Sequence, residues 1–135
     1  PNMRARPTPE FRAFARRVIE AGADVFIGHS AHVIQGIEVW RGKPILYDAG
    51  DFIDDYAVDP ELRNDRSALF LLRVAPSAIE RVDLVPVQIG RCQVNRAREP
   101  ERSWFARRVL GLCAELGTDV LDDGDRLRVR LPGIG

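Results

Sequence analysis

Hydrophobic residues recur at helical spacing near the start of the chain. One stripe of a helix with 3.6 residues per turn would contain Phe11, Phe14, Ala15, Val18 and Ile19. Thr8 can accept a hydrogen bond as the N-cap, and Pro9 is well tolerated at the first helical position. Gly22 then supplies a stop signal. The pattern predicts a helix that begins at Pro9 and ends before Gly22.

The pattern changes from helix to strand after this stop. Val25–Ile27 is apolar without interruption and too short for a helix, which predicts a buried strand ending at Gly28. The stretch "GIEVWRGKPILYDAG" then alternates in strand fashion around residues 41–44, as a β-hairpin does. A helix followed by a buried strand is typical of mixed α and β folds.

The second half of the chain contains a longer hairpin and a second helix. "DFIDDYAVDPELRNDR" is acidic and turn-prone, which predicts a loop. "SALFLLRV" and "IERVDLVPVQI" predict two paired strands that turn at residues 75–77. A helix is predicted from about Pro100 to Leu116, and "DRLRVRL" predicts a short final strand. The residues predicted to face inward from this helix are Trp104, Phe105, Val109, Leu112, Cys113 and Leu116. We therefore expect one α+β domain over residues 1–135.

Composition narrows the classes of partner. Lys plus Arg and Asp plus Glu number 20 each, so the overall charge gives no reason to expect a nucleic-acid partner. We expect the basic segment "RARPTPEFRAFARR" to be the solvated face of a helix. No apolar run approaches the length of a membrane-spanning helix. Cys92 and Cys113 fit no metal-binding spacing, and we expect Cys113 to pack as a small hydrophobic residue and no disulfide to form.

The two histidines of the chain, His29 and His32, follow the first predicted strand. Gly28-His29-Ser30 resembles the start of a G-x-S-x-G nucleophile elbow, but His32 occupies the position of the last glycine and a hairpin follows instead of a helix. A zincin-type site is excluded because H-x-x-H lacks the glutamate of H-E-x-x-H.

A metal site at the end of the strand is the remaining chemistry for these histidines. Neutral imidazoles bind divalent ions, and carboxylates on the next predicted loop can complete a ligand set. The candidate carboxylates are Asp48, Asp51, Asp54 and Asp55. We expect His29 and His32 to lie together on one exposed loop, with Asp51 nearby. The alternative is that both histidines are loop residues bonded to the backbone, with the aspartates in a solvated turn.

The segment "GADVFIGHSAHVIQGIEVWRGKPILYDAGDFIDDY" resembles the bacterial capsule synthesis (poly-γ-glutamate biosynthesis, CapA-type) family. That family's pattern runs G-A-D-x-x-x-G-H-x-x-H-V-x-Q-x-I-E, then a short turn, then G-K-x-I-x-Y-x-x-G-[ND]-F. The matching positions are Gly22, Ala23, Asp24, Gly28, His29, His32, Val33, Gln35, Ile37, Glu38, Gly42, Lys43, Ile45, Tyr47, Gly50, Asp51 and Phe52.

The resemblance implies the C-terminal part of a calcineurin-like metallophosphoesterase fold, a β-sandwich flanked by helices with a two-metal centre. It implies that His29 and His32 are metal ligands, that His29 and Asp51 take part in catalysis, and that the ions are divalent, with Mn, Fe or Zn as candidates. Family members often carry Asn at the position of Asp51, so its role as a ligand or as a hydrogen-bond acceptor behind a ligand stays open.

The resemblance also implies that the metal centre is incomplete in this chain. The early aspartate and Asn-His motifs of such centres are absent, and the family's H-W-G segment would fall just before Pro1. We therefore expect the missing N-terminal part of the protein as a partner, self-association of this chain, and weak metal binding by the chain alone. The family implies the cell envelope, with the cytoplasm as the alternative, and membrane association only through segments outside this sequence. The rival function is a non-catalytic binding or scaffolding subunit of a polymer synthesis or export complex.

Overall fold

The computed structural model describes residues 3–132, and within them it contains two helices and eight strands. The helices are α1 (Pro9–Glu20) and α2 (Glu101–Ala114). The strands are β1 (Phe26–Ile27), β2 (Ile37–Trp40), β3 (Lys43–Leu46), β4 (Arg66–Ala75), β5 (Ala78–Gly90), β6 (Gln93–Arg96), β7 (Val120–Asp122) and β8 (Leu127–Val129). Neither helix has the length and hydrophobicity that crossing a bilayer requires. The predicted α+β class is confirmed.

The first sheet consists of β1, β3 and β2 in that order. β1 runs parallel to β3, and β2 forms an antiparallel hairpin with β3. The two turn residues of this hairpin, Arg41 and Gly42, have φ values of 51° and 80°. Positive φ at both central residues is the geometry that a tight two-residue hairpin favours. The predicted hairpin is confirmed.

The second sheet is built around the long strand β5. The path runs β4-β5-β8-β7, and β6 pairs with the far end of β5. Ala75 pairs with Ala78, so Pro76 and Ser77 form the turn of the predicted hairpin. The sequence patterns predicted neither β6 nor β7, and both are short strands.

Two hydrophobic clusters hold the layers together. In the larger cluster, α2 packs against both sheets through residues such as Phe105 and Val109. In the smaller cluster, α1 packs on the first sheet through Ala15 and Ile19. Successive residues of a strand point to opposite faces. Because β3 lies between the two clusters, Leu46 joins the larger one and its neighbours Ile45 and Tyr47 join the smaller one.

Two burial predictions were wrong in detail. β1 is shorter than the predicted strand and lies at an edge of the first sheet, because it pairs only with β3. Ile27 is therefore 55% exposed instead of buried. On α2, Trp104 and Leu116 are only half-buried, whereas Ala106, absent from the predicted set, lies in the core.

The predicted start of α1 is confirmed by its cap. The Thr8 hydroxyl accepts a hydrogen bond from the backbone N–H of Phe11 at 3.2 Å, and Pro9 is the first helical residue. We expect Thr8→Ala to lower the free energy of unfolding by about 1 kcal/mol. Thr8→Ser, which keeps the oxygen acceptor, should stay close to the wild type in urea unfolding. Equal losses for both variants would show that the cap is not the source of the stability.

Candidate metal centre

The histidine loop, residues 28–33, connects β1 to an isolated bridge between Ile34 and Ala49. Gly28 fixes the start of this loop to the end of β3. Its N–H donates to the Leu46 carbonyl at 2.8 Å, and its own carbonyl accepts from the Ala49 N–H at 3.0 Å. The loop therefore leaves the sheet at the end of β1, beside the residues that follow β3.

Asp48 organises the backbone of the histidine loop. Its Oδ2 accepts hydrogen bonds from the N–H groups of Ser30 and Ala31, both at 2.7 Å. Its Oδ1 accepts from the N–H of Gly50 at 2.9 Å. The sequence predicted Asp48 only as a candidate ligand, and the structure instead places this carboxylate against three backbone donors.

His29 and His32 lie together on this loop, as predicted. Their ring centroids are 6.2 Å apart, and the planes meet at 67°. The His29 side chain is 60% exposed and the His32 side chain 31% exposed. The backbone of His32 has φ 61°, a left-handed conformation that non-glycine residues rarely adopt. Such strained residues are concentrated at functional sites.

Asp51 contacts His32 directly, which confirms the predicted proximity. The His32 Nδ1 atom lies 2.8 Å from Asp51 Oδ1. Because an ionised carboxylate can only accept, this contact places the ring proton on Nδ1 and leaves the lone pair of Nε2 free. The ring of Tyr56 packs edge-on against His32, with centroids 5.4 Å apart. His32 is therefore held from two sides with one nitrogen available.

The carboxylates behind His32 carry unsatisfied acceptors. Asp51 Oδ2 and Asp54 Oδ2 are both buried without a hydrogen-bond donor. Burial raises the pKa of Asp51; the hydrogen bond from His32 opposes this effect, and the neighbouring Asp54 carboxyl adds to it. Asp55, the fourth candidate carboxylate, is exposed. Buried oxygens that lack a donor favour a cation nearby.

The donor set suits a divalent metal but is short of a full shell. Metal-binding histidines commonly donate their second ring N–H to a carboxylate, as His32 does to Asp51. Within residues 3–132, however, no group of three or more His, Cys, Asp or Glu side chains is arranged to hold a metal ion. The described residues alone therefore do not make up a complete metal site.

The sequence of the chain is similar to those of known proteins. The model of the family described as "Bacterial capsule synthesis protein PGA_cap" matches residues 1–56. The chain is 33% identical over 125 residues to the "Probable polyglutamine synthesis accessory protein" of Mycobacterium tuberculosis H37Rv, which covers 89% of this chain and 33% of that protein. It is 32% identical over 84 residues to "Capsule biosynthesis protein CapA" of Bacillus anthracis, covering 62% of this chain and 20% of that protein. "PGA biosynthesis protein CapA" of Bacillus subtilis strain 168 is 34% identical over 83 residues, covering 62% and 21%.

These matches extend well beyond the two histidines. The family model spans α1, the whole first sheet, the histidine loop and Asp51. The mycobacterial relative extends the similarity over most of the second sheet and α2 as well, since its match covers 89% of the chain. The chain spans about a third of the length of that relative, 33%. The chain belongs to the bacterial capsule synthesis (CapA-type) family.

Proposed function

We propose that this chain is part of a metal-dependent phosphoesterase that acts in capsule or polyglutamate synthesis, and that His29 and His32 contribute metal ligands to it. The names of the relatives support the biological setting. The observation that carries the metal assignment is the 2.8 Å contact between His32 Nδ1 and Asp51 Oδ1. It turns one imidazole into an oriented ligand with a free Nε2.

In this proposal, the buried carboxylate of Asp51 orients the ring of His32. A carboxylate that accepts the ring N–H fixes the tautomer and increases the basicity of the other nitrogen. Asp51 is itself held in place, because its side chain is only 5% exposed. This assigns Asp51 to the position behind the ligand His32, and its unpartnered Oδ2 stays available to a cation.

His29 is positioned through the backbone of its loop. Its Nδ1 lies 4.0 Å from Asp48 Oδ1, beyond hydrogen-bond distance, and its ring is mostly exposed. The carboxylate of Asp48 nevertheless holds the next two residues of the loop in place. His29 can therefore turn its ring toward a metal ion or toward the phosphoryl group of a substrate, where a protonated imidazole would donate to a leaving oxygen.

The chemistry that a divalent metal centre would supply here is the polarisation of a phosphoryl group and the activation of a water molecule. His29 and His32 would contribute ligands to that centre, and Asp51 would orient His32. The other ligands would come from the rest of the longer protein, given that the mycobacterial relative is about three times as long as the region it shares with this chain.

The test is metal analysis and phosphoesterase activity of the full-length protein with His32→Ala, Asp51→Asn and Asp55→Asn. We expect the wild type to retain stoichiometric divalent metal and His32→Ala to lose it. Asp51→Asn should weaken metal affinity by about 10- to 100-fold, the usual effect of removing such a carboxylate. Asp55→Asn is the matched control, because this carboxylate is exposed on the same loop. Unchanged metal content in His32→Ala would refute the assignment, and full-length protein without metal or hydrolysis would favour the scaffolding role.

The 135-residue chain alone should bind zinc weakly in calorimetry. Two imidazoles, with the Asp51 carboxylate engaged by the ring of His32, leave the ion short of the three or four protein ligands that a zinc site supplies. Tight binding that disappears in His29→Ala would contradict this expectation and would mean that the chain contains a complete site.

A further inference from the structure

Arginines line the outer face of the second sheet in register. Arg73 on β4 lies directly opposite Arg81 on β5. On the other side of β5, Val82 pairs with Val129, the last residue of β8, and Arg130 follows at the end of the ladder where Arg81 lies, in the lining of the same cavity. Like charges directly opposite each other destabilise a sheet. The row formed by Arg73, Arg81 and Arg130 therefore has an energetic cost that the fold alone does not explain.

A buried carboxylate orients two of the arginines on this face. Asp83 Oδ2 accepts from Arg81 Nε at 2.9 Å, and Asp83 Oδ1 accepts from Arg128 Nε at 2.8 Å. Arg126 approaches the same carboxylate at 3.4 Å. Burial would raise the pKa of Asp83, but the hydrogen bonds from Arg128 and Arg81 outweigh it and the pKa is lowered. One negative charge thus faces three positive charges.

Some N–H groups of these arginines have no hydrogen-bond acceptor among the described residues. Arg81 and Arg128 bind Asp83 through Nε, and their terminal Nη atoms have no hydrogen-bond partner among residues 3–132. The side chains of Arg73 and Arg130 form no ion pair with any described residue. The guanidinium groups of Arg81 and Arg128, held through Nε, present terminal N–H groups whose spacing matches the two oxygens of a carboxylate or phosphate.

A cavity of about 650 Å³ adjoins the row. Arg81, Arg128 and Arg130 line it together with the apolar side chains of Leu121 and Leu131. Glu80 is the one acidic residue in the described lining. The cavity therefore combines an excess of positive charge with an apolar wall. That combination suits a ligand that carries carboxylates at intervals along an aliphatic chain.

We propose that this surface, the arginine row with Arg128 and the adjoining cavity, binds a polycarboxylate chain such as polyglutamate. Neighbouring strands lie about 4.8 Å apart, so the row extends for about 10 Å across three strands and can meet carboxylates of successive repeat units. The choice of polyglutamate as the polymer rests on the proposed function. The evidence for an anion-binding surface, which is the set of unpaired guanidinium groups, does not depend on that function.

The test measures binding of fluorescently labelled polyglutamate to the full-length protein by anisotropy at low salt. We expect the double variant Arg73→Gln/Arg130→Gln to weaken binding about tenfold, because each exposed ion pair contributes only modestly to affinity. Neither residue contacts Asp83, so the fold should be kept. Arg107→Gln is the matched control, an exposed arginine on α2 outside this face. Binding should also weaken as salt rises, because salt screens exposed charges.

Two controls separate this inference from its alternatives. Uncharged polyglutamine should not bind, and a single-stranded oligonucleotide of matched charge should bind more weakly than polyglutamate. Equal binding of the oligonucleotide would overturn the polycarboxylate assignment, and wild-type affinity in the double variant would overturn the site. His32→Ala should bind the polymer normally, so failure of the metal centre and failure of this surface give different results.

Discussion

Replacing Gly28 with alanine is expected to lower the free energy of unfolding by about 3–5 kcal/mol, through overpacking and the loss of two backbone hydrogen bonds. A Cβ atom at this position would lie 2.1 Å from the carbonyl oxygen of Tyr47. The backbone cannot move aside easily, because the Gly28 N–H is bonded to Leu46 and its carbonyl to Ala49. The methyl group must therefore push β1 away from β3 and displace the histidine loop that begins there.

The matched control is Gly111→Ala. Gly111 lies within α2 on the exposed side, and an added Cβ would meet nothing within 4 Å. Alanine should therefore stabilise the helix by about 0.5–1 kcal/mol relative to glycine. Urea unfolding followed by circular dichroism compares the two variants. If Gly28→Ala unfolds within experimental error of the wild type, the close approach of β1 to the end of β3 is not essential to the fold.

The elements that sequence patterns predicted well are those with strong periodicity and clear end signals. α1 has an apolar stripe, a Thr8 cap and Gly22 after its end, and its bounds were predicted closely. The strands that were missed, β6 and β7, have four and three residues and little alternation. Each is the short arm of a local hairpin, since Gly90 pairs with Gln93 and Asp122 with Leu127, and each forms because the adjacent strand offers a partner rather than because of its own pattern.

The part of the candidate site that could be predicted is the part whose residues are joined by a short hairpin. The hairpin of β2 and β3 returns Asp51 to the histidine loop, and this required only the length of the hairpin. The role of Asp48 in holding the histidine loop was not predictable from the sequence. Four aspartates lie between residues 48 and 55, and only the folded loop shows which of them accepts hydrogen bonds from the backbone.

The basic segment shows a different limit. It was predicted to be a solvated helix face, yet Arg12 and Arg16 both form ion pairs with Glu38, whose side chain is 4% exposed. The two arginines are one helical turn apart, and their partner lies on β2. Helical periodicity places both arginines on one side of α1 but contains no information about an acid on a strand that packs against it.

Glu38→Gln is expected to lower the free energy of unfolding by about 2–3 kcal/mol near neutral pH. Glu38 accepts hydrogen bonds from Arg16, from Arg12 at 3.4 Å and from the hydroxyl of Tyr47, and so joins α1 to the first sheet. Glutamine keeps the size of the side chain but removes its charge. The arginine side chains are about one-third exposed, 35% and 31%, so water limits the cost of losing their partner.

This loss should depend on pH in a defined direction. Burial raises the pKa of Glu38, but hydrogen bonds from Arg16 and Tyr47 outweigh it, and the pKa lies below its ordinary value. A carboxyl whose pKa is lowered on folding stabilises the protein above its unfolded pKa, about 4.3. That contribution is lost as the pH falls through the folded pKa. The stability difference between wild type and Glu38→Gln should therefore be full near neutral pH and shrink below about pH 4.

Tyr47→Phe separates the charge of Glu38 from its hydrogen bond to the tyrosine. Burial, followed by the hydrogen bond to Glu38, raises the pKa of Tyr47 to about 12, so the hydroxyl stays protonated throughout an acid titration. Its removal should cost about 1 kcal/mol, and this cost should change less with pH than that of Glu38→Gln. Urea unfolding of the three proteins at a series of pH values measures both effects. A wild-type to Glu38→Gln difference that stays constant into strong acid would show that the ionised Glu38 does not hold α1 on the sheet.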